Sequence, residues 1–142
     1  MKVMVFVKAT SNSEKGLPSA EVMQKLFVEM GAFNEKLVKA GAMKAGAGLL
    51  ASSRGARVSF SNGKPTVIDG PFAEAKELIA GYSIIEAKSL AEVIELVKQW
   101  PQSDGHGNVQ VEIRPLATAE SLGFTDEQQD RYDKMVQQQM QQ

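Results

Sequence analysis

The sequence places a carboxylate, a tight turn and an aromatic ring side by side at Asp69, Gly70, Pro71 and Phe72. Gly70 permits a positive φ, and Pro71 fixes φ and lacks an N–H, so a turn is predicted after the β-rich run that ends at Asp69. We interpret the group as a pocket wall lined by Phe72. Asp69, buried beside the ring, would act as a general base or bind a ligand hydroxyl. The alternative is a turn residue whose carboxylate accepts hydrogen bonds from nearby backbone N–H groups.

His106 is the only histidine of the chain, and it lies in a loop between Gly105 and Gly107. Imidazole titrates near neutral pH, so His106 is the candidate acid that pairs with Asp69 if the loop folds over the pocket. The alternative is a solvated side chain on a mobile loop. One histidine and no cysteine leave only carboxylates as metal ligands, so no metal and no other cofactor are predicted.

Tyr82, Glu112 and Arg114 are candidate ligand contacts because of their positions in predicted strands. Glu112 and Arg114 share one face of the last strand, where the Arg114 guanidinium would hold an anionic group of a substrate. Tyr82 lies in the middle of a core strand, and its hydroxyl would reach the cavity. The alternatives are an exposed ion pair for Glu112 and Arg114, and core packing for Tyr82.

The composition is that of one globular domain and argues against several classes of protein. The chain has 142 residues, a net charge of −1 and no cysteine. Scattered Lys and Arg argue against nucleic-acid binding, and no apolar run is long enough to span a membrane. The absence of cysteine excludes disulfides and thiolate nucleophiles and is typical of a cytoplasmic protein. No phosphate-binding loop, dinucleotide fingerprint or nucleophile elbow is present.

Alternating strand and helix patterns predict the elements that position these residues. The predicted order is strand, helix, strand, hairpin, strand, helix, strand. The second helix is predicted to begin with a capping box of Ser89 and Glu92, and a polar tail helix with a capping box at Thr125 follows the last strand. The predicted elements are a strand at Lys2–Lys8, a helix between caps at Ser19 and Gly41, a strand at Gly46–Ser53, a hairpin of Arg57–Phe60 and Pro65–Ile68 around Asn62 and Gly63, a helical turn at 73–78, a strand at Ile79–Ala87, a helix from Ser89 to Trp100 and a strand at Val109–Leu116.

This order predicts an α+β fold, a ferredoxin-like βαββαβ domain with a hairpin insertion and helices on one face of an antiparallel sheet. The first strand is apolar on both faces, so the face without helices also needs a cover. A second copy of the chain is the obvious candidate. Two sheets packed face to face would form a homodimer that encloses a cavity.

The run from Gly63 to Tyr82 resembles the signature of the DGPF-type, YCII-related domain family. Ala32–Glu35, Gly105–Gly107 and Val111–Leu116 are also similar to it. The resemblance covers residues 1–116 and implies a ferredoxin-like domain paired into a dimeric α/β barrel. It does not require residues 117–142, which are predicted to be a helical extension.

The resemblance implies two functions of different classes. Related proteins include a dehydrochlorinase of chlorinated hydroquinones, and some carry a proposed His–Asp pair, which favours acid–base chemistry without a cofactor, such as elimination or isomerisation. DGPF members are also often associated with extracytoplasmic-function sigma factors, which favours a non-catalytic binding or regulatory module. Most members have no assigned reaction.

Overall fold

The computed structural model describes all 142 residues as an α+β fold with a four-stranded and a two-stranded antiparallel sheet. The strands are β1 (Lys2–Lys8), β2 (Met43–Gly48), β3 (Ala56–Ser61), β4 (Lys64–Asp69), β5 (Ile79–Glu86) and β6 (Val111–Pro115). The helices are α1 (Ser11–Glu14), α2 (Ala20–Lys39), α3 (Leu90–Val97) and α4 (Asp126–Met140). Short 3₁₀ turns occupy Ser52–Arg54, Ala75–Glu77 and Asp104–Gly107. The ferredoxin-like class is confirmed.

The large sheet has the strand order β2-β5-β1-β6, in which the first and third strands of the βαββαβ plan are central. The β3–β4 hairpin is inserted between β2 and β5. Asn62 and Gly63 form its turn with φ values of 51° and 77°, which is the left-handed conformation that an Asn-Gly pair favours. The predicted hairpin is therefore confirmed.

The core lies between the sheet and the two long helices. Val3 and Val5 point to the same face of β1 and are fully buried with Ile85 of β5. Leu37 of α2 and Val93 of α3 cover them from the helix layer. The opposite sheet face carries the alternate residues of the same strands and has no helix on it among the elements in close contact.

Two predicted local features are wrong. The strand expected at Gly46–Ser53 begins at Met43 and ends at Gly48, because Ser52–Arg54 turns as a 3₁₀ segment. The Ser89 hydroxyl caps α3 by accepting from the Glu92 N–H at 3.2 Å. However, the Glu92 carboxylate accepts from the Lys88 N–H, so the reciprocal half of the box is formed one residue earlier.

The tail helix α4 begins with the predicted capping box, because Thr125 and Gln128 bond reciprocally through side chain and backbone. The Phe124 ring contacts the Tyr132 ring edge to face, with ring centroids 5.7 Å apart. These contacts order the start of α4 within residues 117–142. None of the helices combines the length and the apolar character that crossing a membrane requires.

Candidate functional site

The loop after β4 is held in place by Ser52. The Ser52 hydroxyl accepts from the Phe72 N–H at 3.1 Å, and the Ser52 N–H donates to Glu14 Oε2 at 2.8 Å. The Gly70 N–H donates to the Gly55 carbonyl at 3.1 Å. The hairpin base, the Ser52–Arg54 turn and α1 are thus tied together at one end of the large sheet. Nothing in the spacing of Ser52 or Glu14 indicated this role in the sequence.

Gly70 is required by a close approach of two backbone segments. A Cβ placed on Gly70 would overlap the Ser52 carbonyl oxygen. The prediction that Gly70 supplies a positive φ is wrong, since Gly70 is not among the residues with positive φ, and the Gly70–Pro71 peptide is cis. Any side chain at Gly70 therefore displaces the Ser52 segment or the loop.

Phe72 is half-buried and packs against a cation. The Arg57 guanidinium of β3 lies over the Phe72 ring, 3.9 Å from the ring centroid. Contacts of this kind are favourable because the ring face carries negative charge. Phe72 thus packs the loop against one face of the hairpin.

Asp69 ends β4 with an exposed side chain. Its pairing partner is Ala56, and its carboxylate makes no hydrogen bond or ion pair. The alternative in which the carboxylate bonds the turn N–H groups therefore has no supporting contact. The burial beside Phe72 that we predicted is also absent within one chain, because Phe72 is turned toward Arg57. Asp69 is a free carboxylate at the end of the hairpin.

We call the face of the large sheet that carries no helix the open face. Its side chains considered below are those of Met4, Phe6, Tyr82, Ile84, Glu112 and Arg114. Strand register aligns these residues in two rows: Phe6 pairs with Tyr82 and Glu112, and Met4 pairs with Ile84 and Arg114. The four apolar or aromatic side chains are half-buried. Three of the predicted ligand contacts thus lie on one surface.

Glu112 and Arg114 interact at the edge of this open face. The Arg114 Nη1 lies 3.3 Å from Glu112 Oε2, and the Arg114 side chain is 70% exposed. An exposed pair of this kind contributes little to stability. Arg114 retains guanidinium donors for a ligand.

His106 lies on a different part of the surface. It has φ of 55° in the Asp104–Gly107 turn and is exposed. It lines a depression of about 750 Å³ whose other walls come from α2 and from Gln102 and Ser103. Asp69 does not line that depression. The structure therefore does not bring His106 and Asp69 together within one chain.

Glu29 of α2 binds the segment next to His106. Ser103, through its hydroxyl and its backbone N–H, lowers the pKa of the Glu29 carboxyl. The N–H donates to Glu29 Oε2 at 3.1 Å, whereas the hydroxyl is buried without a hydrogen bond of good geometry. The backbone bond is the contact that joins α2 to this loop.

We expect the pKa of the Glu29 carboxyl to lie below its ordinary value of 4.5. The measurement is the pH dependence of the chemical shift of its side-chain carboxyl carbon in NMR spectra. A lowered pKa means that the bond to Ser103 stabilises the fold above the pKa of the unfolded chain and is lost as pH falls through the folded value. Ser103→Pro removes both the backbone N–H and the hydroxyl at a residue whose φ of −72° proline can adopt, so it should move the Glu29 pKa back toward 4.5. Ser53→Ala is the control and should leave the Glu29 pKa unchanged. An unperturbed midpoint in the parent protein would contradict the bond.

No group of three or more His, Cys, Asp or Glu side chains is arranged to hold a metal ion. The residues that the structure does assemble are the aromatic and apolar side chains of the open face and the cation and carboxylate at its edge. Such a surface can bind a flat apolar ring through its faces and an anionic oxygen through Arg114.

Comparison with known proteins gives three findings. A family model described as the YCII-related domain matches residues 1–117. An uncharacterized protein of Rhizobium meliloti (strain 1021) is 31% identical over 99 residues, covering 70% of this chain and 79% of that protein. The chain is also similar to a solved structure, that of 5-chloro-2-hydroxyhydroquinone dehydrochlorinase from Burkholderia phenoliruptrix AC1100 in complex with 2,5-dihydroxybenzoquinone. The two chains share 17% sequence identity and superpose with a TM-score of 0.47, and the alignment covers 84% of this chain and 97% of the dehydrochlorinase chain. The family match includes the large sheet and the loop at Asp69 and ends before α4.

Proposed function

The chain belongs to the YCII-related domain family, and we propose that it is a homodimer that binds a small cyclic compound between two sheets and performs acid–base chemistry on it without a cofactor. The observation that carries this proposal is the open face. It sets Tyr82, Glu112 and Arg114 among apolar side chains in adjacent register rows.

The exposed area of the single chain supports the homodimer. Its accessible surface is 10579 Å², whereas a compact protein of 15.4 kDa exposes about 7,200 Å². The hairpin and the tail helix α4, which contain no buried residue, contribute to the excess of about 3,400 Å², which leaves room for the roughly 800 Å² that each partner buries in an interface of standard size. A second copy seated on the open face removes part of that area and converts the half-open surface into a cavity.

The proposed chemistry uses the charges at the cavity edge. Asp69 removes a proton from a ring carbon beside a carbonyl group, and the electron pair moves onto the carbonyl oxygen. Arg114 and the Tyr82 hydroxyl stabilise the oxygen anion that forms. Return of the proton to another carbon gives isomerisation, and departure of a leaving group with its electron pair gives elimination.

The role of His106 as the proton donor remains a prediction. Within one chain His106 faces α2 beside Glu29, so a second subunit would have to bring its loop to the open face. A cytoplasmic location is also part of the proposal and is supported by the absence of cysteine. No contact or comparison supports the regulatory alternative or its link to a sigma factor, and we do not adopt it.

Binding is tested by isothermal titration calorimetry, which measures the dissociation constant of 2,5-dihydroxybenzoquinone, the probe, from the full chain. We expect Arg114→Gln to weaken binding by about tenfold, the loss of one charge-assisted hydrogen bond. The matched control is Arg131→Gln, since Arg131 is exposed on α4; its affinity should equal that of the parent protein. Equal affinities of all three proteins would remove Arg114 from the site.

Catalysis is tested by the exchange of ring hydrogens of the same probe for deuterium, measured by proton NMR. A deuteron adds to the ring carbon to give the keto tautomer, and the base then removes the original proton from that saturated carbon, with the electron pair moving onto the carbonyl oxygen. The protein should accelerate exchange, and Asp69→Asn should reduce the enzymatic rate by about 10²-fold or more, because amide replaces the base. Asp126→Asn, at the start of α4, is the control and should retain the parent rate. Absence of acceleration by the parent protein would contradict the catalytic part of the proposal and leave the binding part standing.

A further inference from the structure

The β3–β4 hairpin has two chemically different faces. Its pairing register places Val58 opposite Val67 and Phe60 opposite Pro65, so these four side chains share one face. This outer face is defined here as Val58, Phe60, Pro65 and Val67. Val58, Phe60 and Val67 are 55%, 71% and 67% exposed. Asp69 lies two residues beyond Val67 and is therefore on the same face.

The inner face of the hairpin contacts its own chain only near the base. Arg57, which precedes Val58 and points the opposite way, lies over the Phe72 ring. The hairpin has no other packed element among its close neighbours; its extensive contacts are between its own two strands. All residues of β3 and β4 are exposed in the single chain, and the outer face is the more apolar of the two.

A hairpin exposed in this manner needs a partner surface. An isolated two-stranded hairpin is at best marginally stable in water. None of the residues of β3 and β4 is buried in the single chain. A second copy is the occupant that fits these observations. The hairpin follows β2 at one edge of the large sheet, whereas Arg114 lies on β6 at the other edge, so a second open face can offer its β6 edge to the hairpin.

We propose that the hairpin is an arm that seats its outer face on the second subunit and contributes its Asp69 to the cavity of that subunit. The inference rests on the proposed homodimer and deepens it, since each site then takes its carboxylate from one chain and its Arg114 from the other. The negative charge of Asp69 is complementary to the Arg114 guanidinium at the edge of the open face it approaches.

The absence of cysteine allows a direct test by thiol protection. Val58→Cys and Ser59→Cys place single thiols on opposite faces of the same strand, at residues that are both exposed in one chain. In the full-length protein at micromolar concentration, maleimide should modify Val58→Cys at least about tenfold more slowly than Ser59→Cys. Dilution into the monomeric range, or urea, should make the two rates equal.

The outcomes separate this inference from the homodimer itself. Fast modification of both thiols in a protein of dimeric mass would overturn the arm and leave the homodimer intact. A monomeric mass would overturn both. Protection that does not change on dilution to the monomer would also overturn the arm, because the cover would then come from the same chain.

The position of Asp69 is tested by cross-linking between subunits. Tagged Asp69→Cys chains are mixed with untagged Arg114→Cys chains and treated with a short bismaleimide. We expect a cross-linked product that carries both chains, at a yield several times that of Lys39→Cys chains mixed with Arg114→Cys chains. A yield no higher than this control, in which the first thiol lies on the outer helix layer, would show that Asp69 does not reach the second subunit.

Discussion

Ile84→Asp is expected to convert the homodimer into a monomer. Ile84 lies in the row of the open face that also contains Met4 and Arg114, and its side chain points away from the core. In the proposed dimer, each subunit would bury an unpaired carboxylate at this position, at a cost of several kcal/mol. We therefore expect the dissociation constant to rise by about a thousandfold or more, measured by sedimentation equilibrium.

The fold of the single subunit should survive this substitution. The buried core of Val3, Val5, Leu37, Ile85 and Val93 lies on the opposite face of the sheet, so the circular dichroism spectrum should be unchanged. Val38→Asp is the matched control, because Val38 is 58% exposed on α2 in the helix layer. A dimer of parental affinity in Ile84→Asp would exclude the open face as the interface.

Gly70→Ala is expected to destabilise the fold by about 2–4 kcal/mol, because its Cβ overlaps the Ser52 carbonyl and neither backbone segment is free to give way. The Ser52 hydroxyl holds Phe72, and the Ser52 N–H holds Glu14. Displacement of either segment therefore breaks contacts with the loop or with α1. The measurement is urea unfolding at one fixed protein concentration, since dimerisation adds to apparent stability.

Gly31→Ala provides the control for this prediction. Gly31 lies within α2, and a Cβ there meets no atom within 4 Å, so alanine should stabilise the helix by up to about 1 kcal/mol. Equal stability of Gly70→Ala and the parent protein would mean that the close approach to Ser52 is absent in solution. A loss at Gly31 as large as that at Gly70 would indicate a general intolerance of alanine instead.

The element order was predictable because it depends on local patterns. The alternation in Lys2–Lys8 and the Asn62-Gly63 turn each determine their element without reference to distant residues. The end of β2 was not predictable, since Ser52–Arg54 turns to meet α1 and the Asp69 loop, which are remote in sequence.

The candidate site was predictable in part. Strand periodicity correctly grouped Glu112 and Arg114, and the register of the sheet adds Tyr82 to the same face. The contact of Arg57 with Phe72 and the role of Ser52 depend on the path of a loop, which no spacing in the sequence encodes. The separation of His106 from Asp69 within one chain has the same origin, because Asp69 ends the inserted hairpin before the central strand β5, whereas the loop of His106 precedes the edge strand β6.

The mass of the unmodified protein in solution tests the central claim most directly. Sedimentation equilibrium at about 1 μM, where a stable dimer remains associated, should give twice the 15.4 kDa mass of the chain. A mass of 15.4 kDa under these conditions would leave the open face uncovered and would contradict a cavity formed between two sheets.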